Sequence, residues 1–316
     1  MNQESDAREK WLENRRTGIG GSDIGAIMGL SKFKTAYDVY LDKTGQSEKV
    51  DNAAMHWGTI LEDVVAKEYA NVEGRKVQRV NQMLRHSEHD FCVANIDRAV
   101  INPDIAKIVR WKDGRLTTDR ILECKTANGF KTKMWGEAGT DYVPESYLAQ
   151  VQWYMFVTHA KLADLAVLIG GQDFRVYHIE RDDALIEMMF DAANTFWTNL
   201  KNGIAPAPET VDAASKCWKQ SNAEKTIAVD SLSADFDELA EINEQQKTLK
   251  QQEDAIKARI MTHMQDAESA TINGITVCTW KTQTSRRLDS KALKEAHPDL
   301  YKAFTKESTS RRFLIK

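Results

Sequence analysis

The sequence contains few of the residues that mark several protein classes. Proline occurs 5 times and glycine 16 times in 316 residues, which excludes collagen-like and low-complexity chains. No stretch approaches the roughly 18 consecutive apolar residues that a membrane-spanning helix requires. The first six residues, MNQESD, are polar, so we expect no signal peptide and no membrane association.

Cysteine is also scarce. The four cysteines stand far apart, at positions 92, 124, 217 and 278, and none belongs to a Cys-x-x-Cys pair. This spacing predicts neither a disulfide framework nor a zinc or iron–sulfur cluster. Reduced cysteines and a polar start predict a protein of the cytoplasm.

A basic excess is missing as well. The chain has 43 Lys and Arg against 47 Asp and Glu, a net charge of −4, which taken alone argues against nucleic-acid binding. The average conceals an uneven distribution, because residues 270–316 carry ten basic and four acidic residues, a net charge of +6 that leaves −10 for the rest. A hydrophobic share of 42% predicts a folded core in one large domain, or in one large and one smaller domain.

Hydrophobic periodicity in the first two hundred residues predicts an α/β or α+β core, with a small mixed sheet flanked by helices. The predicted helices cover residues 6–16, the end of a glycine-rich turn at 17–29, the region of Tyr37 to Leu41, and residues 57–69, 147–156 and 184–200. The predicted strands cover residues 76–80, 91–94, 105–111, 120–125, 162–169 and 175–179.

The remainder of the chain has a different organisation. Two of the prolines lie in residues 203–208 and break every periodicity, so we place a boundary there. The predicted domains are residues 1–205, a linker with a long helix at 206–268, and a basic extension at 269–316. Apolar residues from Leu232 to Ile260 predict a long helix, either half of a coiled-coil hairpin or an oligomer contact. A hairpin around Asn273-Gly274 and a helix over 290–304 are predicted to follow.

The most informative motif is Ile121-Leu122-Glu123-Cys124-Lys125. In a strand, Glu123 and Lys125 point to one face, whereas Leu122 and Cys124 point to the other. A buried strand that presents an acid and a lysine together is costly unless the charges are used or paired. Glu-x-Lys alone is nonetheless common, and by itself it is better explained as an exposed pair on an edge strand.

Other residues strengthen the interpretation of this motif as an active site. Asp97 follows a predicted strand, and Glu62 lies on a predicted helix among apolar neighbours. Carboxylates that converge with a lysine form a hard-oxygen site suited to Mg²⁺, with Mn²⁺ as a substitute. Lys125 would then orient or deprotonate the attacking water, or offset charge in the transition state. Gln150 and Tyr154 follow on the next predicted helix.

A second motif runs from Trp11 through Arg15-Arg16 and a glycine-rich turn to Ser22. Arginines, backbone N–H groups at a helix start and a serine hydroxyl together suit a phosphate. The segment lacks the third glycine of a dinucleotide fingerprint and the Gly-Lys-Ser/Thr of a P-loop. A simple glycine-rich connection with surface arginines explains it equally well.

These residues together resemble the PD-(D/E)xK nuclease superfamily and, within it, the lambda-type exonucleases and YqaJ-like viral recombinases. The resemblance covers roughly residues 8–200. It implies that Glu62, Asp97, Glu123 and the carbonyl of Cys124 bind the metal. One departure from the family pattern is the pair Asp97-Arg98, where many relatives have Asp-Gly.

The resemblance also implies roles for the other motif residues. Lys125 acts with Gln150 and Tyr154 in catalysis, whereas Arg15 and Ser22 hold a terminal 5′-phosphate. Trp11 and Arg16 belong to the same phosphate-binding motif, although the sequence does not separate Arg15 from Arg16. Further DNA contacts are predicted for the basic residues of the following loop and of the tail: Lys131, Lys133, Arg286, Arg287, Arg311 and Arg312. A solvated loop explains the two lysines equally well, and a tail folded on the acidic long helix explains the arginines equally well.

The implied activity is Mg²⁺-dependent, 5′→3′ digestion of double-stranded DNA ends in phage or prophage recombination. The resulting 3′ single strand would pass to a single-strand annealing partner in the bacterial cytoplasm. The resemblance also implies a homo-oligomer, a trimer. A nicking or structure-selective endonuclease on the same core and a non-catalytic DNA-binding scaffold are the alternatives.

Overall fold

The computed structural model describes residues 13–47, 53–307 and 309–315. The chain divides into two compact units, Met1–Trp218 and Lys219–Lys316. In the described part of the first unit, residues 13–16 are helical, and the longer helices are α1 (Gly21–Ile27), α2 (Ala36–Lys43), α3 (Ala53–Glu73), α4 (Glu145–Thr158), α5 (Asp183–Lys201) and α6 (Val211–Cys217).

A mixed sheet lies at the centre of this unit. The strands are β1 (Val77–Arg79), β2 (Leu84–Arg85), β3 (Val93–Ala94), β4 (Arg98–Val100), β5 (Trp111–Lys112), β6 (Arg115–Leu116), β7 (Arg120–Ala127), β8 (Leu162–Ile169) and β9 (Asp173–Glu180). Five of them form the sheet in the order β1-β4-β7-β8-β9. Strands β7 and β8 are parallel and the other neighbours antiparallel. Because parallel neighbours need a crossover, α4 connects them, and the predicted α/β class is confirmed.

Strand β7 separates two apolar clusters, as predicted from the alternating directions of its side chains. Leu122 and Cys124 pack with Val65 and Tyr69 of α3. Ile121, on the opposite face, belongs to the larger cluster that contains Trp153 of α4. Glu123 and Lys125 share this second face with Ile121, so the strand presents its acid and its lysine towards α4.

Helix α3 buries only part of its apolar stripe. Val65 and Tyr69 are buried, but Trp57, Ile60 and Val64 are 57%, 47% and 52% exposed. The predicted helix is confirmed, whereas its first half has an apolar face that no described residue covers.

One predicted strand is wrong. Residues 105–111 turn instead of extending, and only Trp111 of this range enters a strand. The backbone N–H groups of Ile105 and Ala106 donate to the Asn102 carbonyl, and the Asn102 side chain accepts from the Asp104 N–H. Asparagine side chains that bond to the following backbone favour turns, and this local preference overrides the β-rich composition of the segment.

The second unit contains α7 (Ser233–Met264), β10 (Ser269–Ile272), β11 (Ile275–Thr279), α8 (Ser290–Ala296) and α9 (Pro298–Phe304). The long helix and the hairpin agree with the sequence pattern, and Asn273 and Gly274 both have positive φ at the turn. The single helix predicted over 290–304 is instead two helices. Pro298 starts the second one, because proline lacks the N–H that a continuous helix would use.

Gly21 sets the distance between α1 and α4. A Cβ atom at this position would lie 2.5 Å from Tyr154 Cε1 and 2.9 Å from the Gln150 carbonyl oxygen. At Gly25, four residues later, the nearest atom is at an ordinary contact distance of 3.5 Å. The two glycines of one helix therefore differ in how much space surrounds them.

We predict that Gly21→Ala lowers the free energy of unfolding by about 1–3 kcal/mol, because the new methyl group forces α1 away from α4. Gly25→Ala is the matched control and should be neutral or slightly stabilising, since alanine favours helix more than glycine does. Urea unfolding of both variants measures the difference. Equal stability of the two variants would contradict the close packing at Gly21.

Candidate active site

The structure brings Asp97 and Glu123 together at the middle of the sheet. Asp97 immediately precedes β4, and its Oδ2 accepts a hydrogen bond from the Cys124 backbone N–H at 2.8 Å. Strand β4 pairs with β7 only at Leu122 and Ile121, so the carboxylate of Asp97 takes the place of the next backbone partner. We call Asp97 and Glu123 the acidic pair.

The Cys124 carbonyl faces the same region. In an extended strand, the N–H and C=O of one residue point towards the same side. Because the Cys124 N–H points at Asp97, its carbonyl oxygen also points away from β8 and towards the acidic pair. The Cys124 carbonyl oxygen and the Asp97 carboxylate therefore lie along the same edge of β7.

Gln150 of α4 connects the charged groups of this site. Its amide nitrogen donates to Glu123 Oε1 at 2.7 Å and to the Tyr154 hydroxyl at 3.0 Å. Its amide oxygen accepts from Lys125 Nζ at 2.9 Å, and Lys125 also donates to Glu123 Oε1 at 2.7 Å. Four of the predicted catalytic residues thus form one hydrogen-bonded group.

Tyr147 is a further member that the sequence analysis did not single out. Its ring lies 4.9 Å from Lys125 Nζ, a cation–π contact. It stands on α4 one turn before Gln150, so the spacing of three residues was the available signal.

Burial dominates the electrostatics of the site. Burial, followed by the charge of Glu123, raises the pKa of Asp97 to about 8. Burial also raises the pKa of Glu123, with Lys125 opposing the shift. Although burial lowers the pKa of Lys125, the charge of Glu123 outweighs it and the net shift is upward. The lysine is therefore a cation at neutral pH, which favours positioning water or offsetting charge over deprotonating water.

Glu62 approaches the acidic pair but has a partner of its own. Its Oε1 accepts from Arg98 Nη1 at 2.6 Å, and Arg98 Nη2 donates to Asp63 Oδ1 at 3.2 Å. The same guanidinium donates to the Asp97 carbonyl oxygen at 2.6 Å. The Arg98 side chain therefore joins α3 to β4 and neutralises part of the charge of Glu62.

The residues present fit a divalent cation. Glu123 Oε2 is buried and has no hydrogen-bond partner among the described residues, although a buried carboxylate oxygen without a partner is costly. No group of three or more His, Cys, Asp or Glu side chains in the described ranges forms a metal cage. Mg²⁺ does not need one, because it typically uses one or two carboxylates and keeps several waters.

The second predicted motif forms a separate cluster at the start of α1. Arg15 Nη2 donates to the Ser22 hydroxyl at 3.1 Å, and both groups reach the surface. Arg16 differs, because its Nε is buried without a partner among the described residues. The structure thus separates the two arginines and places Arg15 beside Ser22, whereas Trp11 lies outside the described residues.

Three residues missed by the sequence analysis support this cluster. Asp23 is 1% exposed and accepts from Lys43 Nζ at 2.6 Å and from Lys34 Nζ at 2.9 Å. The only available signal was the position of Asp23, which is the third residue of a helix that starts in a glycine-rich turn.

The remaining predicted DNA contacts occupy two regions. Lys131 and Lys133 are exposed on a 3₁₀ turn, Gly129–Met134, that follows β7 directly. Lys131 Nζ lies 4.4 Å from the centre of the Phe33 ring. The basic residues of the tail are exposed in the second unit: Arg286, Arg287, Arg311 and Arg312.

The sheet, the acidic pair and Lys125 define a PD-(D/E)xK nuclease-type core. Residues 10–161 match the family described as YqaJ-like viral recombinase domain. The chain is 40% identical to "Uncharacterized protein YqaJ" of Bacillus subtilis strain 168 over 98% of its own length and 94% of that protein. The chain therefore belongs to the YqaJ family, and with this core it is an enzyme of the nuclease class.

Other known proteins are similar over shorter stretches or in fold. Protein D345L of African swine fever virus, strain Badajoz 1971 Vero-adapted, is 40% identical over 20% of this chain and 17% of its own. The alkaline exonuclease LHK-Exo of Laribacter hongkongensis is 20% identical with a TM-score of 0.47, covering 62% of this chain and 93% of that one. A phage-related exonuclease of Haemophilus somnus 129PT is 15% identical with a TM-score of 0.41, covering 59% and 96%.

One further observation concerns membranes. Within the described residues, none of the helices combines the length and the apolar character needed to span a bilayer.

We predict that metal binding depends on pH through Asp97. Its pKa of about 8 means that the neutral acid dominates below pH 8, and a metal ion needs the ionised form. Mg²⁺ affinity should rise up to about tenfold per pH unit between pH 6 and 8 and level off above. Calorimetry in two buffers of different ionisation enthalpy measures both the affinity and the proton released.

The same carboxyl group should make the stability of the metal-free protein depend on pH. Because the folded state holds a proton that the unfolded state releases near pH 3.8, stability without metal should fall as the pH rises towards 8. Asp97→Asn is the control and should bind Mg²⁺ weakly at every pH. A wild-type affinity independent of pH would contradict the raised pKa of Asp97.

Proposed function

We propose that this protein is a Mg²⁺-dependent exonuclease that digests double-stranded DNA from its ends, 5′→3′. One observation carries the proposal: the acidic pair, with a buried Glu123 oxygen that has no partner among the described residues, beside a protonated Lys125. Buried charges of this kind are rare unless function requires them, and perturbed carboxylates cluster at active sites. Membership of the YqaJ family, which is described as a viral recombinase domain, supports the same activity.

The acidic pair and the Cys124 carbonyl would hold the metal, with Glu62 as a further ligand at the side next to Arg98. When bound, the ion supplies Lewis-acid activation of water and stabilisation of charge on phosphoryl oxygens; Mn²⁺ would serve as a substitute. The donor set suits this class of ion, because every proposed ligand atom is an oxygen.

The protein residues contribute orientation and charge. A water oxygen bonds to phosphorus and releases a proton to solvent as the P–O3′ bond breaks, and the leaving O3′ takes a proton from solvent. Lys125 offsets the negative charge that develops on the phosphoryl oxygens. Gln150 holds Lys125 and Glu123 in fixed positions, and Tyr154 in turn contacts the Gln150 amide. The product is a 5′-mononucleotide, and the shortened strand again ends in a 5′-phosphate.

Arg15 and Ser22 are proposed to bind that terminal 5′-phosphate. A guanidinium paired with a hydroxyl supplies charge-assisted donors to phosphate oxygens. Their distance from the catalytic group is set by close packing, because Gly21 lies directly against Gln150 and Tyr154. Each cleavage regenerates the same end group, so the arrangement suits repeated digestion of one strand.

The remaining parts of the proposal concern DNA contacts and partners. Lys131 and Lys133 would line the path of the duplex after β7, and the arginines of the tail would bind backbone phosphates. We propose that the enzyme works in phage or prophage recombination in the bacterial cytoplasm, as a homo-oligomer (a trimer) that passes 3′ single strands to an annealing protein.

We predict that Lys125→Ala lowers Mg²⁺-dependent digestion of linear duplex by at least about 100-fold, because the developing charge loses its counter-ion. Far-UV circular dichroism and DNA binding in EDTA should remain close to wild type. Lys112→Ala, which removes an exposed lysine of β5, is the matched control and should digest normally. Digestion by Lys125→Ala at the wild-type rate would contradict its assignment.

Covalently closed circular duplex serves as the companion substrate. We expect linear DNA to be digested and closed circles to stay intact, because a terminal phosphate is needed. Cutting of the circles would instead support an endonuclease on the same core. No cleavage of either substrate at any Mg²⁺ concentration would support a non-catalytic DNA-binding protein.

We predict that Arg15→Ala lowers the preference for 5′-phosphorylated over 5′-hydroxyl ends by about 10-fold or more, as expected for loss of a hydrogen bond to a charged group. Arg16→Ala, the neighbouring arginine, should retain most of the preference, because its side chain does not contact Ser22. Initial digestion rates on the two duplexes provide the measurement. Equal effects of the two variants would place the phosphate elsewhere.

A further inference from the structure

Lys43 is buried inside the first unit, which is unusual for a lysine. Its side chain is 1% exposed, as is the side chain of its partner Asp23. Lys43 Nζ donates to Asp23 Oδ2 at 2.6 Å and to the Arg15 carbonyl oxygen at 2.7 Å. The ammonium therefore connects α2, the start of α1 and the backbone of Arg15 at one point.

Asp23 completes the connection from the other side. Its Oδ2 also accepts from the Gly20 backbone N–H at 3.2 Å, and its Oδ1 accepts from Lys34 Nζ at 2.9 Å. The carboxylate thus lies between two ammonium groups and holds the residues on both sides of Ser22. We call Asp23, Lys34 and Lys43 the buried cluster.

Stability alone gives little reason for such a cluster. Removing two charges from water costs several kcal/mol for each ion, and apolar residues of similar volume are often as stabilising or more so. The bonds of Lys43 instead link the Arg15 carbonyl oxygen to the Asp23 carboxylate, which itself accepts from the Gly20 N–H. Arg15 and Ser22, which donate and accept at 3.1 Å on the surface, stand directly on these two segments.

The charges of the surroundings also favour an anion. Three basic side chains, Lys34, Lys43 and Arg15, outnumber the two aspartates, Asp23 and Asp42, that pair with the lysines. A terminal phosphate monoester carries close to two negative charges at neutral pH. The buried cluster therefore supplies both geometry and charge for a phosphate at Arg15 and Ser22.

We propose that Lys43, held by Asp23, is the positioning residue that orders Arg15 and Ser22 for a terminal phosphate monoester and so determines the enzyme's selectivity for phosphorylated DNA ends. The inference rests on the end recognition in the proposed function and adds to it the residues that create the discrimination. Lys43 does not touch the phosphate, since its ammonium is buried behind the Arg15 backbone. It acts through Arg15.

The test measures binding of the full chain to short duplexes that carry either a 5′-phosphate or a 5′-hydroxyl, by fluorescence anisotropy in EDTA. The ratio of the two dissociation constants reports discrimination, without cleavage. We expect Lys43→Met to lower this ratio at least about tenfold relative to wild type, because small displacements of positioned groups have large effects. Affinity for the 5′-hydroxyl duplex should change less than about threefold.

Lys216→Met is the matched control. Lys216 also pairs with an aspartate of α2, with Nζ 2.6 Å from Asp38 Oδ1, but it makes no contact with the Arg15 segment. Its loss should leave the ratio at the wild-type value. If Lys43→Met does not fold, as judged by circular dichroism, Lys43→Gln keeps a shorter, uncharged donor and is expected to lower the ratio as well.

The possible outcomes distinguish a failure of end recognition by Arg15 from a failure of the positioning role of Lys43. A wild-type ratio near one would refute phosphate recognition at chain ends, and with it the role of Arg15 in the proposed function. A high wild-type ratio that Arg15→Ala reduces and the Lys43 variants preserve would overturn only the role of Lys43. Equal weakening of both duplexes in the Lys43 variants would show a general structural role and would also overturn it.

Discussion

The convergence of two carboxylates at the middle of β7, with Glu123 buried and Asp97 half-buried, is the constraint on which the rest of the site depends. Asp97 replaces a backbone partner of Cys124, and Glu123 has a buried oxygen with no partner in the described part of the chain. A single ammonium, Lys125, offsets only part of this negative charge. Such an arrangement is stable only with protons or with a cation, and this requirement links folding, pH and the proposed metal chemistry.

Helix α4 connects the acidic pair with the cluster of Arg15 and Ser22 at the start of α1. One face of the helix presents Gln150 and Tyr154 to the acidic pair, and the same two residues form the surface against which Gly21 packs. The residues proposed to bind phosphate and the proposed catalytic group therefore pack against the same helix. The proposed digestion from a chain end needs a fixed distance between the end and the cleavage point, and this packing would provide it.

The sequence predicted the parts of this arrangement that follow from local periodicity. The alternation in β7 separated Leu122 and Cys124 from Glu123 and Lys125, because side chains in a strand change sides at every residue. The roles that resemblance implied for the site residues remain predictions, although the structure groups several of them. The turn at residues 105–111 was missed, because the backbone preference of Asn102 outweighed composition.

Contacts between distant segments were beyond local patterns. From the sequence alone, Arg98 would be placed on the surface, because its contact with Glu62 forms only when α3 packs beside β4. The burial of Lys43 likewise depends on three segments that are apart in the sequence. The most direct test of the account is diffraction from crystals soaked in Mn²⁺, recorded at its absorption edge. An anomalous peak about 2.0–2.3 Å from oxygens of Asp97, Glu123 and the Cys124 carbonyl is expected. Manganese bound elsewhere, with none at the acidic pair, would contradict it.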